Sequence, residues 1–215
     1  MISRLANRRF CEFARLFGGN NMNLKKQRAE TETLVLGAIL TALVVVLQLL
    51  GSFIRFGPFM VSLVLVPIVV GAAKCGAKIG AWLGFVFGLV VLLCGDAAAF
   101  LAVNVFGTIV TVMVKGIACG LLAGITYKLL EKKNVYLAVA AAAVVCPIVN
   151  TGIFMLGCLI FFMETVSEWG MALGFENVAA YMFLVLAGGN FLFELGTNII
   201  LSPVIVRLLN IKKKA

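Results

Sequence analysis

"GAKIGAWLGFVFG", residues 76 to 88, sets Gly76, Gly80, Gly84 and Gly88 at strict four-residue intervals inside a run of apolar side chains. Positions i and i+4 superpose on an α-helix, so the four glycines form a smooth ridge that a neighbouring backbone can approach closely. "GIACGLLAG", residues 116 to 124, repeats the device with Gly116, Gly120 and Gly124. Two helices built for close backbone packing predict a compact helical bundle. The residues between the glycines say which solvent surrounds it.

Of the 215 residues, 63% are hydrophobic and only 13% are charged, and the mean hydropathy is +1.13. Soluble domains carry charge at about 25% of positions. Crossing a hydrocarbon core of about 30 Å takes roughly 20 helical residues, and the apolar runs approach or reach that length. The alternating ten-residue segments of an outer-membrane barrel are missing. The expected fold class is therefore an all-α integral membrane protein, a compact bundle of six transmembrane helices at about 34–51, 59–73, 79–95, 103–127, 135–163 and 181–206. The second and third are short, and need flanking residues or the snorkelling stems of Lys74 and Lys78 to reach both interfaces.

Charge follows the membrane. Of the 18 basic residues, all but Arg55 and Lys115 fall before the first segment, between the second and third, between the fourth and fifth, or at the end. The alternate loops hold Arg55, Asp96, Glu164, Glu168 and Glu176. By the positive-inside rule both termini are cytoplasmic, and the net charge of +9 reflects topology rather than nucleic-acid binding. Residues 1–30 read as a basic cytoplasmic tail with Met22 as an alternative start, 31–210 as the membrane domain and 211–215 as a second basic tail. The longest outside loop, about 164–180, carries three acids and Trp169, and either covers a site from outside or rests at the interface.

No histidine is present, which removes Ser-His and Cys-His catalysis, His-ligated zinc and His proton relays. The six cysteines lack metal-ligand spacing and read as small packing residues. A Walker A loop is missing, so ATP is not bound through a P-loop. Neither inverted repeats nor a filter-like ring of charge is visible. The expectation is a non-enzyme that carries neither cofactor nor metal.

Two ionisable residues lie deep in apolar segments, Lys115 and Glu194. A charge at mid-bilayer costs about 2.5–3.5 kcal/mol on insertion scales, so it normally faces the bundle interior with a partner. Counted from the expected outer ends, Lys115, Asn150 and Glu194 all sit roughly 18–20 Å along their helices at about 1.5 Å per residue. Asn190 and Asn198 flank Glu194 at four-residue spacing, making a polar stripe on an apolar rod. Asn104 and Thr108 extend that wall on the fourth segment, and Gln48 and Ser52 on the first. Two readings stand open. Lys115 and Glu194 form a pair that only fixes helix registry, as in a scaffold subunit that moves nothing, or the cluster lines a pocket for a small ligand. Pro147 and Pro203 are expected to kink their helices, with a carbonyl freed for a ligand at Pro147 as the secondary alternative.

The combination in order carries a resemblance. Ala38 and Ala42 make an A-x-x-x-A motif in the first segment. "VSLVLVPIVVGAAKCGAKIGAWLGFVFGLV" spans the second and third, "KGIACGLLAGITYKLL" ends the fourth and "NFLFELGTNIILSPVIVRLL" makes the sixth. Over residues 24 to 211 the chain resembles the substrate-binding S component of energy-coupling factor (ECF) transporters. That resemblance implies a multi-pass protein of a prokaryotic cell membrane that captures a vitamin from outside. It also implies docking onto a shared transmembrane coupling protein with two cytoplasmic ATPase subunits, in which Ala38 and Ala42 take part in the contact. Family ligands are held by the outer loops and the outer halves of helices four to six, so Arg55, Asn104, Lys115, Asn150, Trp169, Asn190 and Glu194 are the candidate substrate-binding residues. Relatives often carry a proline and arginine where this chain has "VKG", which offers Lys115 the structural role of that arginine. The second and third segments resemble the pantothenate-like and riboflavin-like branch. Lys115 or Arg55 would suit an anionic substrate such as pantothenate, whereas a flat ring such as riboflavin would use Phe53, Phe56, Phe59 or Trp169.

Overall fold

The computed structural model describes residues 27, 30–52, 55–56, 59–60 and 63–210, with the side chains of 55, 56, 59, 60 and 208–210 excepted. Both expected tails, Met22 and Cys11 lie outside the described residues, apart from Gln27 and Glu30 in the first tail. Internal contacts divide the chain between Leu36 and Gly37, and the site described below belongs wholly to Gly37–Ala215.

Among the described residues four helices are long and apolar enough to cross a membrane: α1 (Glu30–Ser52), α5 (Val105–Leu130), α6 (Val135–Phe161) and a final span, Val178–Arg207. Between α1 and α5 lie a minimal ribbon, β1 (Arg55–Phe56) and β2 (Phe59–Met60), then α2 (Leu65–Cys75), α3 (Ala77–Leu93) and the six-residue α4 (Ala98–Val103). After α6 come α7 (Met163–Ala172) and α8 (Val178–Tyr181), a seven-residue π-helical stretch (Met182–Gly188) and α9 (Gly189–Asn210).

Local chemistry accounts for the boundaries. Asn104 and Asn134 hold extended backbone and cap α5 and α6, the first accepting from Gly107 N and the second from Tyr136 N and Leu137 N. Such a cap satisfies amide donors that the first helical turn leaves unpaired. Asn177 does the same for α8. Pro67 falls in the first turn of α2, where a missing N–H costs nothing. Helix α6 runs through Pro147 and α9 through Pro203.

The second apolar segment departs from expectation. Residues 59–60 are strand, and helix begins only at Leu65. Gly57 and Pro58, both poor helix formers, separate the two strands, whose register pairs Phe56 with Phe59 and Arg55 with Met60. Residues 164–180 likewise contain α7 rather than an irregular loop. Its Val166 and Gly170 are buried at i, i+4, while Glu164 and Glu168 face out.

Helix α5 packs on α3 along one side and α6 along another, and α6 also packs on α9. The α3–α5 seam is made by the glycines. A Cβ on Gly84 would overlap the Gly116 carbonyl, one on Gly116 the Gly84 carbonyl, and one on Gly120 the Gly80 carbonyl. Gly88 lies against Val112 and Gly124 against Ala77. Gly76 is different: at φ 89° and ψ 170° it breaks the chain between α2 and α3, and a Cβ there would meet nothing within 4 Å. The ridge therefore starts at Gly80, and Gly76 is a glycine because only glycine adopts that backbone cheaply.

Candidate functional site

Three helical stripes close on one cavity of about 220 Å³. Helix α5 contributes Thr108, Thr111, Val112 and Lys115, α6 contributes Asn150, Thr151, Phe154 and Cys158, and the final span contributes Leu186, Ala187, Asn190 and Glu194. Each set follows the three-and-four spacing of a single helix face. Gln48 of α1, Phe87 and Val91 of α3, Asp96, Ala97, Phe100 and Phe162 complete the wall. The π-helical stretch supplies Leu186 and Ala187 immediately before the polar stripe, a placement such wide turns favour at functional sites.

Glu194 is 1% exposed, and its carboxylate accepts hydrogen bonds from Asn150 Nδ2 (3.3 Å) and Asn190 Nδ2 (3.4 Å). Asn198 donates to the Glu194 backbone carbonyl at 2.9 Å. The Lys115 ammonium lies over the rings of Phe154 (5.2 Å) and Phe87 (5.8 Å), contacts in which the negative ring face attracts a cation. Among the described residues no ion pair joins Lys115 to Glu194, so the direct registry pair is replaced by two asparagines on the acid and two aromatic rings on the base.

Among the described residues four buried side-chain atoms lack a hydrogen-bond partner: Thr111 Oγ1, Asn150 Oδ1, Asn190 Oδ1 and Asn198 Oδ1. The first three belong to residues of the cavity wall. An unsatisfied buried polar atom costs about 1–3 kcal/mol, so these three oxygens are a local cost to stability.

One flank of the cavity is aromatic. Phe100 meets Phe162, Trp169 and Phe154 edge-on at centroid distances of 5.1, 5.4 and 5.6 Å. Phe162 also joins Cys158, Val166, Tyr181 and Met182 in a buried cluster that seats α7 and α8 beside the site. At the rim, Asp96 Oδ2 accepts from Gln48 Nε2 at 2.7 Å and from Ser52 Oγ, tying the end of α1 to the connection between α3 and α4.

Lys115, Asn150, Asn190 and Glu194 thus stand together. Asn104 does not line the cavity, because its carboxamide oxygen is used at 2.9 Å on the amide of Gly107. Trp169 supports Phe100 from behind rather than reaching the wall. Arg55 lies in β1, with its side chain outside the described residues. Pro147 and Ala143, whose carbonyl it frees, are absent from the cavity wall. Ala38 and Ala42 lie on the exposed face of α1, while Leu40, Val44 and Gln48 face inward. Sequence reasoning passed over Thr111, Asp96, Phe87, Phe100, Phe154 and Phe162 as site residues. The spacing Thr111–Lys115 and Asn150–Phe154–Cys158 was the available signal for two of them, Thr111 and Phe154.

The family model for "ECF transporter, substrate-specific component" matches residues 32–209. The chain belongs to this family. No curated protein and no solved structure shows a significant match. As an S component it is a multi-pass membrane subunit that captures substrate for an ECF importer, a transporter part rather than an enzyme, and it works with a coupling and ATPase module and a small-molecule substrate. The position of the cavity fits that office. It draws on α1, α3, α5, α6 and the final span, so a bound molecule would touch most of the S component at once.

Proposed function

We propose that this S component takes a water-soluble vitamin, pantothenate, from outside the cell into the cavity between α5, α6 and α9. It then passes the vitamin to a transmembrane coupling protein driven by two cytoplasmic ATPases. The observation that carries the reading is the convergence of Lys115, Asn150, Asn190 and Thr111, polar residues of three helices, on a single cavity inside an otherwise apolar bundle. About 220 Å³ lies below the roughly 300–1,000 Å³ typical of drug-sized ligands, in keeping with a compact metabolite. Lys115, which rests on two rings and forms no close ion pair among the described residues, suits a carboxylate ligand. In this reading both termini and the Lys/Arg-rich loops are cytoplasmic, six segments cross a prokaryotic cell membrane, and Ala38 and Ala42 form part of the coupling-protein contact.

Mass spectrometry of small molecules released from the purified chain tests the proposal. Pantothenate is expected to co-purify and to raise the melting temperature when added back. A different vitamin, riboflavin above all, would change the substrate and leave the capture role standing. If no small molecule is released and no B vitamin shifts the melting temperature, the chain is a scaffold.

A further inference from the structure

Helices α3 and α5 run antiparallel in a register that the glycine contacts fix: Gly88 lies at Val112, Gly84 at Gly116, Gly80 at Gly120 and Ala77 at Gly124. The corner between α2 and α3, at Gly76, therefore stands level with Gly124. Helix α5 continues past that level to Leu130, about 9 Å farther at 1.5 Å per residue. The corner is thus a notch in one end of the bundle, and Gly76 at its tip is exposed. Helix length says the same: α2 has 11 residues and α3 has 17, about 16 and 26 Å, against a hydrocarbon core of about 30 Å.

The side chains beside the notch show how far the hydrocarbon reaches. Leu121, Ile125 and Leu129 form an exposed apolar stripe on α5, and Leu129, in the last turn, is 71% exposed. Lipid chains that cover Leu129 extend past the corner, so the corner lies deeper than the headgroups around the rest of the bundle. Yet it is cationic. Lys74 lies in the last turn of α2, Lys78 in the first turn of α3, and Lys128 follows Gly124 by one turn on the same face of α5. Lys78 and Lys128 are exposed and Lys74 is half-buried, and among the described residues no carboxylate pairs with any of the three. Glu131, the acid of the neighbouring loop, follows the end of α5 and so stands nearer the membrane surface. Snorkelling lifts a lysine toward water, but three like charges around one recess repel unless an anion lies between them.

We propose that the corner between α2 and α3 seats the headgroup of an anionic phospholipid, its phosphate between Lys74, Lys78 and Lys128 and its acyl chains along Ile125 and Leu129. The phosphate supplies a counter-charge to three lysines, and acceptor oxygens at a depth where hydrocarbon has none. It also draws the bilayer surface inward where α2 and α3 are too short to reach it, which lowers the cost of mismatch. None of the three lysines lines the cavity, so the seat is independent of which vitamin the cavity holds. The proposed topology puts it in the inner leaflet.

Native mass spectrometry of the full chain in detergent tests the seat. It measures dissociation constants for phosphatidylglycerol and phosphatidylcholine with identical acyl chains, with and without inorganic phosphate as a soluble competitor. Phosphatidylglycerol is expected to bind roughly tenfold to a hundredfold tighter than phosphatidylcholine. The double variant Lys74→Gln/Lys78→Gln should remove about tenfold of that preference or more. Lys132→Gln/Lys133→Gln deletes the same charge from the loop beyond α5, and should leave the preference within about twofold. Melting temperature should stay unchanged in both variants.

Equal binding of the two lipids overturns the inference. So does an equal loss in the two variants, which would make the preference a matter of net charge. Full displacement of phosphatidylglycerol by inorganic phosphate would assign the notch to a free anion and overturn the lipid. Loss of the co-purifying coupling module from Lys74→Gln/Lys78→Gln, with the lipid preference intact, would make the corner a protein contact instead. Vitamin binding is expected to survive in every one of these cases, so failure here leaves the capture role standing.

Discussion

Helix α5 presents two faces that obey opposite rules. Toward α3, Gly116 and Gly120 set backbone against backbone, with no room for a single methyl group. Toward α6 and α9, Thr111 and Lys115 stand at a cavity where buried oxygens go unpaired. The first face is satisfied by contact alone. The second is satisfied only in part, the asparagines bonding Glu194 while Thr111 Oγ1 has no partner. One helix therefore serves as the rigid rail of the bundle and as one wall of the site, and the rail is what keeps Lys115 at a fixed height opposite Asn150 and Glu194.

The largest effect is expected on the rail. Gly84→Ala should destabilise by about 3 kcal/mol or more, since the new Cβ meets a carbonyl that has no rotamer to escape into. Loss of monodisperse protein or a steep fall in melting temperature checks it. Gly76→Ala, where the cost is backbone strain without a clash, should lose only about 1–3 kcal/mol. Equal losses at both positions would erase the distinction between seam and turn.

A smaller effect sharpens the other face. In double-mutant cycles read by thermal unfolding, Glu194→Leu and Asn150→Leu should couple by about 1 kcal/mol, and Glu194→Leu and Lys115→Leu by less, because the acid is bonded to the asparagine and not to the lysine. Stronger coupling to Lys115 would restore the registry pair. The smallest effect on the molecule itself is expected from Ala38→Trp and Ala42→Trp, both on the exposed face of α1. Melting temperature and vitamin affinity should stay within error while transport into cells is lost. Retained uptake would remove the coupling contact from α1.

Much of this was legible because helical periodicity is visible in sequence. The four-residue glycine spacing announced the α3–α5 seam, and counting along the segments brought Lys115, Asn150 and Glu194 to one level. Gly76 was misread for the same reason: it continues the spacing, yet the chain breaks there, and periodicity does not report a positive φ. Phe87, Phe100 and Phe154 were hidden because a phenylalanine in an apolar run carries no signal of which neighbour it faces. The depth count brought Asn150, Asn190 and Lys115 to Glu194, but which of them hydrogen-bonds it depends on side-chain geometry that sequence does not report. Nearby amides on neighbouring turns and helices solvate a carboxylate at shorter range than a lysine whose ammonium rests on two rings.

Asp96 gives α1 a second meaning. Its carboxylate holds Gln48 and Ser52, the last two inward-facing polar groups of a helix whose outer surface shows Ala38 and Ala42 roughly 15 Å back along the axis. Removal of the Asp96 carboxylate would therefore release two side chains of α1 at once, so the seating of that helix is tied to the connection that follows α3.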